Sequence, residues 1–198
     1  MIEEVLANFA HVFYPKNVCP WDERDKYLET IEYKRLKKII DSFDSEENLK
    51  IRDNIRKEFE NDIILKEFQD FSALENFQDR CFTFFLNVFE NGQLLSITLH
   101  LSFLLPYYVI RRGWHHAEPW FTKEKIIELE SQNLDTRNRE DLILDIEKIV
   151  EEKLSYQKFP QTVMHTIIKD IGFQGISLGD FKMYNAFFND QNIYENTN

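Results

Sequence analysis

Residues 80–102 read RCFTFFLNVFENGQLLSITLHLS, and the way this stretch turns back on itself decides the fold. Asn91-Gly92 separates two apolar-rich runs. That dipeptide favours a two-residue type I′ hairpin, because both turn positions need φ > 0 and Asn and Gly reach it at least cost. A two-residue turn fixes the register, pairing Glu90 with Gln93 so that paired residue numbers sum to 183. One face then sets Phe82 against Leu101, Phe84 against Leu99, Leu86 against Ile97 and Val88 against Leu95. The other sets Cys81 against Ser102, Thr83 against His100, Phe85 against Thr98 and Asn87 against Ser96. A slip of one residue would mix the two sets, so turn chemistry and pattern agree independently.

Downstream, Leu104-Leu105-Pro106 interrupts the pattern, and a third strand is expected over residues 107–112, ended by Gly113. Upstream, Ile2, Val5, Leu6, Phe9, Val12 and Phe13 mark a helical face that Pro15 stops. A second helix is expected from an N-cap at Asp22, with its stripe running from Leu28 to Phe43 and a kink between Ile31 and Leu36. Asp44-Ser45-Glu46-Glu47 opens a third, carrying Ile51, Ile55, Phe59 and Ile63 every four residues. Residues 61–79 favour neither helix nor strand. Thr122 caps a helix to about Gln132, and residues 133–138 form a polar turn. Leu142, Ile146, Ile149, Val150 and Leu154 mark a helix with an acidic outer face. After Pro160, alternation over residues 163–168 suggests a strand, with a short helix as the alternative, and residues 181–188 suggest another strand. Gly172, Gly175 and Gly179 punctuate the loop between them, and residues 190–198 read as a frayed tail. The expectation is α+β: an antiparallel β-meander packed with amphipathic helices, in one domain over residues 1–198.

A chain of 198 residues buries enough surface to fold without a metal or disulfide staple. Its two cysteines, Cys19 and Cys81, match no metal or redox spacing, and their scarcity fits a reducing compartment. Glu3 and Glu4 stand where a secretion signal would carry basic residues, and the apolar segment 94–110 is broken by polar residues and Pro106. These features predict a cytoplasmic protein without a membrane span. The net charge of −11 argues against nucleic acid, whose phosphates need concentrated Lys and Arg.

The densest metal-capable group is His115-His116-Ala117-Glu118, expected in a loop after Gly113. Its spacing is not the helical H-E-x-x-H arrangement, and Trp114, Trp120 and Pro119 favour an aromatic loop packed over the sheet end. A metal-assisted enzyme using His115, His116 and Glu118 is therefore an alternative, and no cofactor is expected. His100 reads as a partly exposed histidine on the hydrophilic face of its strand, His11 as a helix-surface residue and His165 as a strand residue. No phosphate loop or nucleophile elbow is present. Glu140, Asp141, Asp145, Glu147, Glu151 and Glu152 form an acidic helix face, read as solvated surface or as a steering surface for a basic partner.

The Phe-rich strand with its Asn91-Gly92 hairpin, Leu101-Ser102-Phe103-Leu104-Leu105-Pro106-Tyr107-Tyr108, and Met183-Tyr184-Asn185-Ala186-Phe187-Phe188-Asn189 together resemble small bacterial proteins, some of which look like immunity proteins of polymorphic or contact-dependent toxin systems. The resemblance implies a small, acidic, cytoplasmic, non-enzymatic protein that neutralises a toxin by binding it. The contact surfaces expected are Trp114, Trp120 and the acidic helix. A structural or regulatory subunit of a homo-oligomer is a further alternative.

Overall fold

The structure is a computed structural model and describes residues 1–43, 45–62, 69–70, 72, 79–90, 93–116, 122–131 and 139–190. Its centre is a meander of three ten-residue strands, β2 (Cys81–Glu90), β3 (Gln93–Ser102) and β4 (Tyr107–His116). Two-residue strands flank it: β1 (Gln69–Asp70) joins β2 antiparallel, and β5 (Gln157–Lys158) joins β4 in parallel. The spatial order of the five described strands is therefore β1-β2-β3-β4-β5. The β2–β3 register is the one that turn chemistry dictates, from Cys81 opposite Ser102 to Glu90 opposite Gln93. Asn91 and Gly92 themselves lie outside the described residues. The α+β class holds, with one correction: the β4–β5 pair makes the sheet mixed instead of purely antiparallel.

β4 runs on through Gly113 to His116, so Trp114, His115 and His116 belong to a strand and not to a loop. The long antiparallel pairing with β3, reaching from Leu101–Tyr108 to Gln93–His116, supplies ladder bonds that outweigh the weak strand propensity of one glycine.

The helices differ from expectation where side chains compete for the backbone. α1 (Ile2–Ala10) is followed not by one kinked helix but by two, α2 (Arg24–Glu29) and α3 (Ile31–Phe43). Thr30 makes the break. It is extended (ψ 148°), its hydroxyl donates to the Tyr27 carbonyl, and the same oxygen accepts from the Tyr33 N–H. The residue flanking the start of α2 is Glu23, not Asp22. α4 (Glu46–Asp62) buries Ile55 and Phe59, whereas Ile51 on the expected stripe stays exposed; Ile63 lies outside the described residues. α5 (Lys123–Ser131) begins at Thr122, whose hydroxyl accepts from the Lys125 N–H. α6 (Arg139–Lys148) widens into a π-helical turn over Ile149–Lys153, closed by Leu154 N–H bonding to the Ile149 carbonyl.

Residues 163–168 and 181–188 are not strands. α7 (Gln161–Met164) is a single helical turn, and His165 caps its end. α8 (Met183–Phe187) is short and buried on every side. Asn185 explains α8: its side-chain oxygen accepts from the Lys182 N–H, capping the first turn. A five-residue helix buried all round, Asn185 included, shows no amphipathic stripe, so its period is hidden.

Two cores result, one on each side of the sheet. On one side Phe82, Phe84, Leu86, Ile97, Leu99, Leu101 and Tyr108 pack against Ile55 and Phe59 of α4 and Leu142, Ile143, Ile146, Ile149 and Val150 of α6 and its π turn. On the other side α1–α3 and residues 159–188 pack on each other and onto Cys81 and Val109. Long-range bonds stitch this second core: Tyr14 Oη donates to the Ala186 carbonyl at 2.9 Å, and Tyr27 Oη to the Gly172 carbonyl at 3.1 Å. Gly172 is closely packed there: a Cβ would meet the Ile176 carbonyl oxygen at 3.1 Å and Pro20 Cδ at 3.2 Å, so a larger residue would push these neighbours by a few tenths of an ångström. Among the described residues no helix is long and apolar enough to cross a membrane.

Candidate functional site

The hydrophilic face of the hairpin is covered at its end nearest the C-terminal segment, while Phe85 and Ser96 further along are only partly buried. Thr83, Thr98, His100 and Ser102 are buried, and His100 is completely so, which corrects its reading as a partly exposed histidine. What covers it is the C-terminal segment: the Tyr184 and Phe188 rings lie 6.2 and 6.4 Å from the imidazole. β2 and β3 bring Cys81, Thr83 and His100 together because their register places them on neighbouring positions of one face.

Hydrogen bonding fixes the state of this cluster. The Thr83 hydroxyl donates to Asp79 Oδ2 at 3.2 Å and lies 3.1 Å from His100 Nδ1. The hydroxyl proton is spent on the carboxylate, so Nδ1 carries the imidazole proton and donates to Thr83 Oγ1. His100 Nε2 is then a bare lone pair, buried and without a hydrogen-bond partner among the described residues. Cys81 Sγ sits 3.7 Å from Nδ1 and 3.6 Å from Thr83 Oγ1.

A thiol beside an imidazole is the geometry of a nucleophile and its base, but here the electrostatics run the opposite way from activation. Burial pushes the Cys81 thiol up from its ordinary range. Burial, together with the Arg111 charge, pulls His100 down to about 3. Both groups are held neutral, and no thiolate–imidazolium pair forms.

A second set of polar groups pins the end of the cover. Arg80, fully buried, donates to the Asn185 carbonyl at 2.5 Å and to Asp190 Oδ1 at 2.7 Å, and its guanidinium lies 4.8 Å from the Phe173 ring centroid. Burial raises the Asp190 carboxyl above its ordinary value, and the Arg80 charge and hydrogen bond hold that rise back. Asn185 Nδ2 donates to the Asn189 carbonyl, and Tyr184 Oη to Asn189 Oδ1. Asp190 is therefore anchored; residues 191–198 lie outside the described residues. Sequence reasoning missed this set. Its one signal is a run of Asn and Asp between aromatics at residues 184–190, which is costly to bury unless paired.

The outward surface is different in kind. Along α6 and its π turn, Leu142, Ile143, Ile146, Ile149 and Val150 face the core, leaving Glu140, Asp141, Leu144, Lys148, Glu151 and Glu152 exposed. Leu144 is 60% exposed in the middle of these charges. Some of the expected acidic residues are partly committed within the chain. Glu147 accepts from Lys158, Glu151 accepts from Tyr108 Oη at 2.7 Å, and Glu140 lies 3.4 Å from Arg112. Glu147 is only 19% exposed and Asp145 is half-buried, so neither belongs to the outermost surface.

Trp114, His115 and His116 are placed in β4, opposite Leu95, Leu94 and Gln93; Glu118 and Trp120 lie outside the described residues. Among the described residues no three His, Cys, Asp or Glu side chains converge as a metal site. His11 is not a free surface residue: its Nε2 meets Asp170 Oδ1 at 2.9 Å, joining α1 to the loop before Gly172. Asp170 is held below its ordinary range by that hydrogen bond, against the opposing effect of burial.

An α+β protein with a sheet covered on both faces is the class the geometry defines. No protein-family model, curated protein sequence or solved structure matches the chain.

Proposed function

We propose that the chain is a non-enzymatic protein-binding module and, more particularly, a cytoplasmic immunity protein that neutralises a basic toxin by direct occlusion. The observation that carries this reading is Leu144, an exposed apolar side chain on α6 ringed by Glu140, Asp141, Lys148 and Glu151. An apolar anchor bordered by charge supplies the two components of a protein interface. The anchor is desolvated on binding, and the acidic rim steers a basic partner and raises its association rate. The net charge of −11 acts in the same direction at longer range. Of the buried groups, Arg80 is occupied in holding Asp190 of the cover, and Cys81 and His100 are occupied with each other and with Thr83 inside the hairpin, which supports a scaffold role over a reactive one. The resemblance of residues 101–108 and 183–189 to small bacterial proteins, some of which look like immunity proteins, adds to the same reading.

Co-expression with the product of the neighbouring gene tests it. The expected result is a stable complex and protection of the host cell, with association slowing as salt rises. Leu144→Asp and Asp141→Lys are each expected to weaken the complex at least tenfold while thermal unfolding of the free protein stays within a few degrees, because both positions are exposed. Absence of both complex and protection contradicts the immunity reading. A complex indifferent to both substitutions moves the contact surface elsewhere.

A further inference from the structure

We propose that His100 is an acid-operated release for the C-terminal cover: protonating its imidazole frees residues 181–190 from the sheet while the face packed on α4 and α6 stays folded. The inference stands apart from the protein-binding reading and concerns a different side of the molecule.

Three features of the site converge on it. First, His100 is fully buried at the junction between sheet and cover, and the rings it faces, Tyr184 and Phe188, both belong to the cover. Second, the imidazole has no place for another proton. Nδ1 already donates to Thr83, and the proton would have to go onto Nε2, which has no acceptor within reach among the described residues. A buried N–H without an acceptor and a buried charge without a counterion are both costly. Third, the groups facing the ring do not form a ready acid-stabilised pair. From the β2 side these are Asp79, Cys81 and Thr83, and the path from the ring to Asp79 runs through the Thr83 hydroxyl. From β4 comes the charge of Arg111, which repels a second cation. The cover presents the neutral Tyr184, whose hydroxyl is engaged by Asn189 and Arg111, while Asp190 is taken by Arg80.

In the docked state burial and Arg111 hold the imidazole at about 3, whereas in the released state it titrates at its ordinary value near 6.5. Between those values the released form binds the extra proton. Docking is at full strength above about pH 6.5 and weakens about tenfold per pH unit as pH falls toward 3. The opposite face contains no histidine among its packed residues and lacks this dependence.

Hydrogen exchange followed by mass spectrometry between pH 7 and pH 4, corrected for intrinsic rates, tests the proposal on the full chain. Peptides covering residues 181–190 are expected to lose protection about tenfold per pH unit below about 6.5, while peptides covering residues 139–150 keep theirs. His100→Asn places an amide N–H near the position of Nδ1, retaining the bond to Thr83 without a titrating ring, and is expected to flatten the slope. An unchanged slope in H100N would assign the effect to a group other than His100 and overturn the proposal. So would simultaneous loss of protection on both faces. Should H100N fail to fold, NMR of the His100 ring in the wild-type chain decides the matter. A ring that becomes charged only as residues 181–190 lose protection supports the release, and one that becomes charged while they remain protected refutes it.

Discussion

The two sides of one sheet are held by different chemistry. On the α4–α6 side, each inward position of β2 and β3 from Phe82 to Leu101 that is described is a large apolar residue, and stabilisation comes from removing that surface from water. On the other side Thr83, His100 and Arg80 meet a cover built from Tyr184, Asn185, Phe188, Asn189 and Asp190, and hydrogen bonds with a buried ion pair align it. Apolar burial is non-directional and tolerates repacking, whereas buried polar groups penalise any arrangement that leaves them unpaired. The first face therefore provides bulk stability, and the second specifies one docking geometry and makes it sensitive to protonation.

Single substitutions can break that contrast. Phe84→Ala on the apolar face removes a fully buried ring and is expected to cost about 4 kcal/mol in chemical denaturation, by the same amount at pH 7 and pH 5. A much smaller cost would mean that the α4–α6 side is loosely packed. Thr83→Val on the polar face keeps the shape and adds an apolar group, yet is expected to destabilise by about 2 kcal/mol, because His100 Nδ1 loses its acceptor and Asp79 loses a donor. Neutral or stabilising behaviour of T83V would show that the polar chain does not hold the cover.

The readable part of the fold is the part fixed by local chemistry. Asn91-Gly92 and strict alternation set a register that the described strands reproduce pair by pair. The α6 stripe and the Thr122 cap are legible for the same reason: their determinants lie within a few residues. The cover is not. Thr83, Thr98 and His100 alternate with apolar residues, which is the pattern of a solvated sheet face, and only contacts with residues about 80 to 100 positions later bury them. Residues 181–188 resemble a strand in sequence because α8 is short and buried on all sides and so carries no helical stripe. Its helical turn depends on the Asn185 cap and on packing against the distant α1. At the outer surface, Leu144 stands off the stripe of Leu142, Ile146 and Ile149 and could have been singled out from spacing alone.

Cys81 sits beneath the cover while Cys19 is partly accessible, so thiol reactivity reports directly on whether the polar face is sealed. In a Cys19→Ser variant at pH 7.5, Cys81 is expected to react with an aromatic disulfide reagent at least a hundred-fold more slowly than it does in denaturant. Reaction at the rate of an exposed thiol, with the chain still folded by circular dichroism, would mean that this side of the sheet is open to water and that the two-faced account is wrong.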